Sequence, residues 1–397
     1  MSASGEILGV QARTAVERTG LSLAIRGPDG NVEQLGRGEP QVEVAAVNAD
    51  GLAALRSRSE LRIAEAYLNE DIDISGDLVA AMRLRVVLSD VRPLLRARTF
   101  LQPLVLGRRR LNPRWIAKHY DSENMQLYGI DELYNVYTPG LYERDDDTLE
   151  EGAVRKLEHA FDRLGLRAGA TLLDVGCGWG GFLRYCAERG VEATGISLSR
   201  HQLAYARSRL DGDGLDAHTL YQDFFTYEPH RQFDAISLMG SIEDLANYRS
   251  VMLRLGRWLR PGGRIYMDFA AKDRPWGIST FISQHVWPGA FRLVYLPSFT
   301  RALARSHFDV VALENDRRNY HLWPLKGLER WTDRRAEIVA ATDERTWRLM
   351  SLLMAGAAHL MGEHSILFTA YRVTLESRAA PQPAHHAATV RDVATRA

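Results

Sequence analysis

The pattern of apolar and polar positions predicts a run of alternating strands and helices between residues 146 and 272. Leu172, Leu173 and Val175 predict a buried parallel strand, because a strand covered on both faces is almost continuously apolar. Helical spacing of apolar residues predicts helices at 146–164 and 248–259. Further strands are predicted at Glu192–Ser197, Ala217–Tyr221, Phe233–Met239 and, after a turn, within 260–270. This alternation predicts an α/β fold with a parallel sheet and right-handed crossovers.

A smaller set of elements precedes this run and predicts an α+β domain over residues 1–90. Its predicted elements are strands within 21–27 and 41–47 and helices at 48–56, 60–68 and 77–84. Asn48 and Asp77 are typical helix-starting residues. The first 18 residues or so are expected to be poorly ordered.

Past the central run, two more strands are expected to complete the sheet. They are predicted at 308–313 and 365–373, with a helix at 345–361 between them. The tail, residues 377–397, contains many Ala, Pro and His residues, and we expect it to be disordered.

Composition indicates a folded protein of ordinary hydrophobicity. The 397 residues suffice for two domains, 46% of them are hydrophobic, and the formal net charge is zero. The spacing of Cys177 and Cys186 fits neither a disulfide framework nor a metal site, so no metal is expected. No signal-peptide pattern and no stretch as long as a membrane span occurs. We therefore expect a cytoplasmic protein that meets a membrane only from outside.

A basic segment separates the two predicted domains. Between Val91 and Tyr120 there are seven arginines and one lysine, with no Asp or Glu, and apolar residues lie among them. One interpretation of residues 91–118 is a segment lying on an anionic membrane surface, where each basic residue contributes about 1 kcal/mol. The other is a linker with a solvated basic face. Nucleic-acid binding is not favoured, because no known reader fold accompanies the charge.

Two further segments are rich in aromatic residues. The tyrosine-rich segment at 119–145 would suit a cover over a ligand, or it is packed surface structure. The second segment, at 272–299, could line an apolar substrate channel or form a self-packed lid. Its aromatic residues are Trp276, Phe281, Trp287, Phe291, Tyr295 and Phe299.

Three glycines at alternating positions follow the first strand of the central run. Gly176, Gly178 and Gly180 come after Asp174, which ends that strand. Open α/β sheets bind ligands at this edge, and glycine lets the backbone approach a ligand closely. A dinucleotide site requires G-x-G-x-x-G, whereas this chain has D-x-G-x-G-x-G. The spacing therefore favours S-adenosylmethionine over a dinucleotide.

Longer motifs carry a more specific resemblance. DVGCGWGG begins at Asp174 and GISLSRHQ begins at Gly195, while TLEEGAVRKLEHAFDRLGLRAG and YDSENMQLYGIDELYNVYTPGLY lie upstream. Together they resemble the cyclopropane-fatty-acyl-phospholipid synthase and mycolic-acid methyltransferase family, with the corresponding domain at 119–376. The resemblance implies a Rossmann-like class I methyltransferase sheet, a lipid-binding role for the N-terminal α+β domain and a homodimer.

The resemblance also implies a set of residues for the cofactor, S-adenosylmethionine, and its product, S-adenosylhomocysteine. Asp174, Gly176 and Gly178 would hold the methionine end, and Gln222 with Asp223 would contact the adenine. The remaining implied cofactor residues are Tyr137, Thr138, Gly195, Ser197, Gln202, Met239 and Gly240.

The implied catalytic site departs from the family pattern. In this family a bicarbonate, held by Cys, Glu, His and Tyr, removes a proton from the reacting chain. Here Pro139 replaces the Cys, Asp268 replaces the His after the fifth strand, and the Tyr position falls at Met350 or a neighbour. Only Glu243 matches. An added carboxylate disfavours bicarbonate binding, so we expect Glu243 or Asp268 to act directly as the base.

A second interpretation is that Asp268 merely ends a strand and hydrogen-bonds a backbone amide. Neither interpretation decides whether the product carries a cyclopropane, a methylene branch or a methyl branch. The predicted substrate is an unsaturated acyl chain of a phospholipid, at the inner membrane surface. The alternatives are a methyltransferase for a diffusible natural product and a catalytically silent lipid-binding relative.

Overall fold

A computed structural model describes residue 7 and residues 10–88, 129–245, 247–274, 279–286, 293–362 and 368–378. These residues form a four-stranded sheet in an N-terminal domain and an eight-stranded sheet in a second domain. The basic segment at 91–118 lies outside the described residues, as do Trp276, Trp287, Phe291 and nearly all of the tail.

The N-terminal domain is α+β, as predicted. Its sheet has the order β2-β1-β3-β4, with β1 and β3 parallel and the other pairs antiparallel. Its elements are α1 (Val10–Glu17), β1 (Leu23–Arg26), β2 (Val32–Leu35), β3 (Val42–Ala46), α2 (Ala49–Ser57), α3 (Glu60–Leu68), β4 (Ile72–Gly76), α4 (Leu78–Ala81) and the 3₁₀ turn Met82–Val87.

Two details of this domain differ from the sequence prediction. Helix α1 corrects the expectation that the whole of the first 18 residues is poorly ordered. Strands β2 and β4 were not predicted, because most of their positions are exposed or half-buried and show no clear apolar alternation. The helix starts were right: the Asn48 side chain accepts the N–H of Gly51, and Asp77 accepts that of Ala80.

The second domain is built on a mainly parallel sheet. Its strand order is β11-β12-β9-β8-β5-β6-β7, and short β10 pairs with β9. Strands β5 to β9 are parallel, whereas β12 runs antiparallel to both β9 and β11. The strands are β5 (Thr171–Val175), β6 (Glu192–Ser197), β7 (Ala217–Tyr221), β8 (Phe233–Met239), β9 (Leu259–Lys272), β10 (Val294–Tyr295), β11 (Phe308–Asn315) and β12 (Phe368–Ser377).

Helices cover both sides of this sheet. They are α5 (Leu149–Leu164), α6 (Gly181–Ala187), α7 (Arg200–Gly212), α8 (Tyr248–Trp258), α9 (Leu296–Ala304), α10 (Arg317–Asp333), α11 (Arg335–Ala341) and α12 (Glu344–Met361). Among them, α9, α10 and α11 were not predicted. Helix α10 escaped prediction because it contains Pro324, which usually ends a helix.

Helix α5 shows how the sequence fixes an element beside the site. Thr148 and Glu151 form a capping box at its start, and Gly165 ends it with a φ of 65°. Its buried face is otherwise apolar, with Leu149, Leu157 and Leu164, yet Lys156 lies on the same face.

The two domains pack together along α12. The Arg348 guanidinium donates to the carbonyls of Tyr67 and Ile72, both at 3.1 Å. Arg345 donates to the Asn69 side chain at 2.6 Å. Among the described residues, no helix combines the length and apolar character needed to cross a bilayer.

Candidate functional site

The carboxyl ends of the parallel strands meet at one edge of the sheet. Asp174 of β5 lies opposite Gly195 of β6 and opposite Ser237 of β8. Met239 at the end of β8 lies opposite Asp268 of β9. Because ligands of open α/β sheets bind at this edge, the strand register brings most of the predicted site residues into one region.

Asp174 is the buried carboxylate of this region. Its side chain is 3% exposed, and its Oδ1 accepts a hydrogen bond from Ser237 Oγ at 2.7 Å. Burial raises the pKa of Asp174 to about 6, although the bond from Ser237 opposes that rise. A cationic ligand group would restore the charged form, so the position suits an ammonium.

The glycines after β5 have the backbone geometry that their motif predicts. Gly176 has a φ of 78°, and a Cβ there would lie 2.5 Å from the Cβ of Ser241. Gly178 has a φ of 52°, and a Cβ there would meet no heavy atom within 4 Å. The first glycine is therefore required by packing, while space is open beside the second.

Residues of β6, and residues that follow β6 and β7, lie at the same edge of the sheet. A Cβ on Gly195 would lie 2.7 Å from Cys177 Sγ, so the second strand packs directly against the glycine-rich turn. Ser197 and Gln202 are buried. Gln222 is exposed and its N–H donates to the Ser197 carbonyl at 3.2 Å. Asp223 accepts the N–H of Phe225 at 2.6 Å.

Tyr137 and Thr138 reach the same edge from the loop before α5. A Cβ on Gly240, whose φ is 62°, would lie 2.4 Å from Thr138 Cγ2. The Tyr137 ring packs edge-on against Trp323 with centroids 5.7 Å apart. The loop is fixed by Arg372, which donates to the Gly140 carbonyl at 2.8 Å. Thr138 therefore packs against Gly240 at the end of β8.

Arg372 itself belongs to a buried ion pair. Its guanidinium lies 2.8 Å from Asp316, with 2% of each side chain exposed. Asp316 also accepts from Asn319, whose side-chain oxygen accepts the N–H of Tyr142 at 2.9 Å. The pair therefore links β12, helix α10 and the loop that carries Tyr137.

Glu243 lies in the 3₁₀ turn Ile242–Asp244 that follows β8. Strand β8 leaves the sheet after Gly240, whose N–H donates to the Asp268 carbonyl at 3.1 Å. Two residues farther along β9, the N–H of Ala270 donates to Glu243 Oε1 at 3.0 Å. The Glu243 carboxylate thus accepts a backbone N–H of β9 just beyond the point where its pairing with β8 ends.

The second carboxylate oxygen of Glu243 has no such bond. Oε2 is buried and has no hydrogen-bond partner among the described residues. Burial raises the pKa of Glu243 to about 8, against the lowering effect of its backbone hydrogen bonds. An unpaired buried carboxylate oxygen is costly and is typical of a functional group.

Asp268 differs from what the sequence predicted. It lies inside β9, which continues to Lys272, and not after the strand. Among the residues that the structure describes, no backbone amide donates to its buried carboxylate, contrary to the second interpretation. The carboxylate lies 2.9 Å from Lys156 Nζ, and Oδ1 accepts from Tyr320 Oη at 3.4 Å. Lys156 compensates its charge, so Asp268 is not an isolated second anion.

Sequence reasoning missed Lys156. Its Nζ also donates to Thr138 Oγ1, so one ammonium joins the loop at the cofactor edge to β9. The sequence did contain a sign of this ion pair, because Lys156 lies on the apolar face of α5. A lysine buried on such a face requires a charged partner.

Met350, near which the resemblance puts the family's tyrosine position, packs away from Asp268. Met350 packs with Trp331, Ile338 and Met354 in a separate cluster. Among the described residues, the tyrosine that contacts Asp268 is Tyr320 of α10. This helix was not predicted because it contains Pro324. No group of three or more His, Cys, Asp or Glu side chains suited to a metal lies within the described part of the chain.

Comparisons with known proteins agree with this geometry. The family model described as mycolic acid cyclopropane synthetase matches residues 108–369, and a model described only as a domain of unknown function matches 17–87. A probable fatty acid methyltransferase of Pseudomonas putida is 29% identical over 369 residues, covering 88% of this chain and 91% of that protein.

Two further similarities concern an enzyme and a fold. The cyclopropane-fatty-acyl-phospholipid synthase of Escherichia coli is 28% identical over 253 residues, covering 62% of this chain and 64% of the relative. The structure of the mycolic acid cyclopropane synthase CmaA1 complexed with SAH and CTAB superposes with a TM-score of 0.61 at 21% identity. It covers 67% of this chain and 98% of that one.

The predicted Rossmann-like sheet, the glycine-rich turn and the family match lead to one assignment. S-adenosylmethionine, and not a dinucleotide, is the cofactor. The chain belongs to the mycolic acid cyclopropane synthetase family of S-adenosylmethionine-dependent methyltransferases.

Proposed function

We propose that this enzyme transfers the methyl carbon of S-adenosylmethionine to the double bond of an unsaturated acyl chain in a membrane phospholipid. The observation that carries the proposal is the buried, unpartnered Oε2 of Glu243. It lies in the turn that directly follows β8, whose end forms part of the cofactor edge. A proton acceptor at that place is what alkene methylation requires after the carbon–carbon bond has formed.

The residues present fit the cofactor. The Asp174 carboxylate is suited to its ammonium, and the open space beside Gly178 lets the main chain approach its methionine end. Gln222 and Asp223 follow β7, where they would contact the adenine. When bound, the cofactor supplies an electrophilic methyl, which the alkene π electrons attack as the carbon–sulfur bond breaks.

Glu243 would complete the reaction by taking a proton at Oε2. Loss of the proton from the added methyl leaves its C–H electron pair to close a cyclopropane ring. If a hydride first shifts to the cationic carbon, loss of the same kind of proton leaves a methylene branch. A methyl branch additionally needs a hydride donor. The side-chain contacts favour Glu243 over Asp268 as the base, because Asp268 already shares its charge with Lys156.

The lipid substrate is supported by the relatives and by the basic segment. Proteins similar to this chain carry the names fatty acid methyltransferase and cyclopropane-fatty-acyl-phospholipid synthase. The arginines between Val91 and Tyr120 would attract an anionic surface. We therefore propose peripheral binding at the inner membrane surface, a lipid-binding role for the N-terminal domain, and a homodimer. Bicarbonate has no part in the proposal.

The test is a product analysis. The protein is incubated with isotopically labelled S-adenosylmethionine and vesicles of an oleoyl phospholipid, and the acyl chains are identified by mass spectrometry. We expect label in a cyclopropane, methylene or methyl-branched chain, together with S-adenosylhomocysteine. Absence of S-adenosylhomocysteine with mixed unsaturated phospholipids would indicate a silent relative, and absence of vesicle binding in flotation would favour a diffusible substrate.

A further inference from the structure

A cavity of about 280 Å³ lies between the N-terminal domain and the second domain. Its volume is close to the lower limit of small-molecule pockets, roughly 300 Å³. It is distinct from the cofactor edge, because its lining includes none of the residues proposed above for the cofactor or for catalysis. It therefore needs its own explanation.

Both domains contribute apolar walls to this cavity. The N-terminal sheet supplies Leu23, Ile25 and Val44, and helix α12 supplies Leu353, Gly356 and Leu360. There is free space beside Gly356 of α12, since a Cβ there would meet no heavy atom within 4 Å. An alkyl chain suits such a lining because burial of apolar surface drives its binding.

One wall of the cavity adjoins the proposed catalytic centre. Leu293 and Phe368 line the cavity and pack in one cluster with Ala270. Tyr320 packs against the same cluster and bonds Asp268, and the N–H of Ala270 bonds Glu243. A chain leaving the cavity past these residues would arrive beside the Glu243 carboxylate.

Three polar residues of the lining form a connected group. Glu60 pairs with Arg85 at 3.0 Å and accepts from Ser279 Oγ at 2.9 Å, and both members of the pair are only partly buried. The part of the lining that comes from the first 90 residues ends at Leu88, just before the basic segment that begins at Val91. This edge suits the ester and phosphate of a lipid, and not its methyl end.

We propose that the interdomain cavity holds the part of the acyl chain between the ester and the double bond, and thereby selects which carbon pair reaches the methyl donor. The proposal rests on the function proposed above. With the ester held at the edge formed by Glu60 and Arg85, the path through the cavity has a fixed length. Double bonds at other distances from the ester would then miss Glu243.

Gly356 offers a test at a residue that lines the cavity but belongs neither to the cofactor edge nor to the proposed catalytic centre. Gly356→Leu would fill part of the cavity, since a Cβ at this position meets no heavy atom within 4 Å, and it replaces glycine by a better helix former. Gly212→Leu is the matched control, because Gly212 is also a helical glycine with open space at its Cβ but lies at the exposed end of α7. Gly356→Ala adds a smaller side chain and fills less of the cavity.

Each variant is given vesicles that contain both oleoyl and cis-vaccenoyl phospholipid, so that the two lipids compete for the enzyme. The two acyl chains have equal length, but the double bond of the cis-vaccenoyl chain lies two carbons nearer the methyl end. Because a filled cavity shortens the path, Gly356→Leu should raise the oleoyl-to-vaccenoyl product ratio several-fold, Gly356→Ala less, and Gly212→Leu not at all. An unchanged ratio, or a shift toward vaccenoyl, in an active Gly356→Leu enzyme would overturn the proposal.

A binding measurement separates this proposal from the proposed function. If the wild-type enzyme modifies neither lipid, the function fails, and fluorescence titration with cis-parinaric acid still tests the cavity. Weaker binding to Gly356→Leu than to Gly212→Leu supports an alkyl-chain site. Equal binding by the two variants overturns it.

Discussion

The ammonium of Lys156 lies 2.9 Å from the carboxylate of Asp268, and neither side chain is exposed to solvent. Removing one member of such a pair leaves an uncompensated buried charge. Lys156→Met should therefore lower the free energy of unfolding by about 3–5 kcal/mol. Urea denaturation of the cofactor-free protein measures this loss.

The double variant Lys156→Met/Asp268→Asn is the control for that loss. It removes both charges, so it should be clearly more stable than Lys156→Met alone, because replacing both partners of a buried pair is often nearly neutral. A double variant as unstable as the sum of the two single variants would show that the pair is not coupled.

Glu243→Gln should separate chemistry from cofactor binding. The amide cannot accept the proton, so turnover should fall by about 10²–10⁴-fold, the usual contribution of a general base. Because burial raises the pKa of Glu243 to about 8, wild-type turnover should rise with pH and level off above about 8. Initial rates across pH and calorimetric titration with S-adenosylhomocysteine measure both effects. Full turnover in the variant would exclude Glu243 as the base.

Cofactor affinity should depend on the charge of Asp174. Its pKa is raised to about 6, so below that pH the carboxyl must lose a proton before it can bind an ammonium. The Kd for S-adenosylhomocysteine should then rise up to about tenfold per pH unit as the pH falls below 6. Asp174→Asn should bind weakly without this slope. A wild-type Kd independent of pH between 5 and 7 would contradict the assignment.

Turnover should not require bicarbonate. The residues near Glu243 include the compensated pair of Asp268 and Lys156. The resemblance also predicts that Pro139 takes the position of the family's cysteine. Rates in carbon-dioxide-depleted buffer should match those after bicarbonate is added back. Restoration of lost activity by bicarbonate would place that anion in the site.

The sequence predicted the fold well because the apolar pattern and the local signals agree. Strands β6, β7 and β8 have the predicted limits, since their positions are mainly buried or followed by clear turns. The capping residues Asn48 and Asp77 were identified from their type alone. By contrast, β2 was missed because its exposed surface has no alternation.

The site was predicted only in part, because its decisive contacts join distant parts of the chain. Asp174 and Glu243 were found from motif and resemblance, but the partner of Asp268 lies 112 residues earlier on α5. Tyr320 was missed with its helix. Spacing along the sequence cannot reveal that a buried lysine and a buried aspartate meet across a helix and a strand.

The central claim is that Glu243 takes the proton released when a double bond receives the methyl carbon. The most direct measurement compares the wild-type enzyme with Glu243→Gln on an oleoyl phospholipid with methyl-deuterated S-adenosylmethionine, followed by mass spectrometry of the acyl chains. We predict that the wild-type product gains one carbon from the donor, and that Glu243→Gln binds the cofactor normally but forms little product. The same yield from both enzymes would contradict the account.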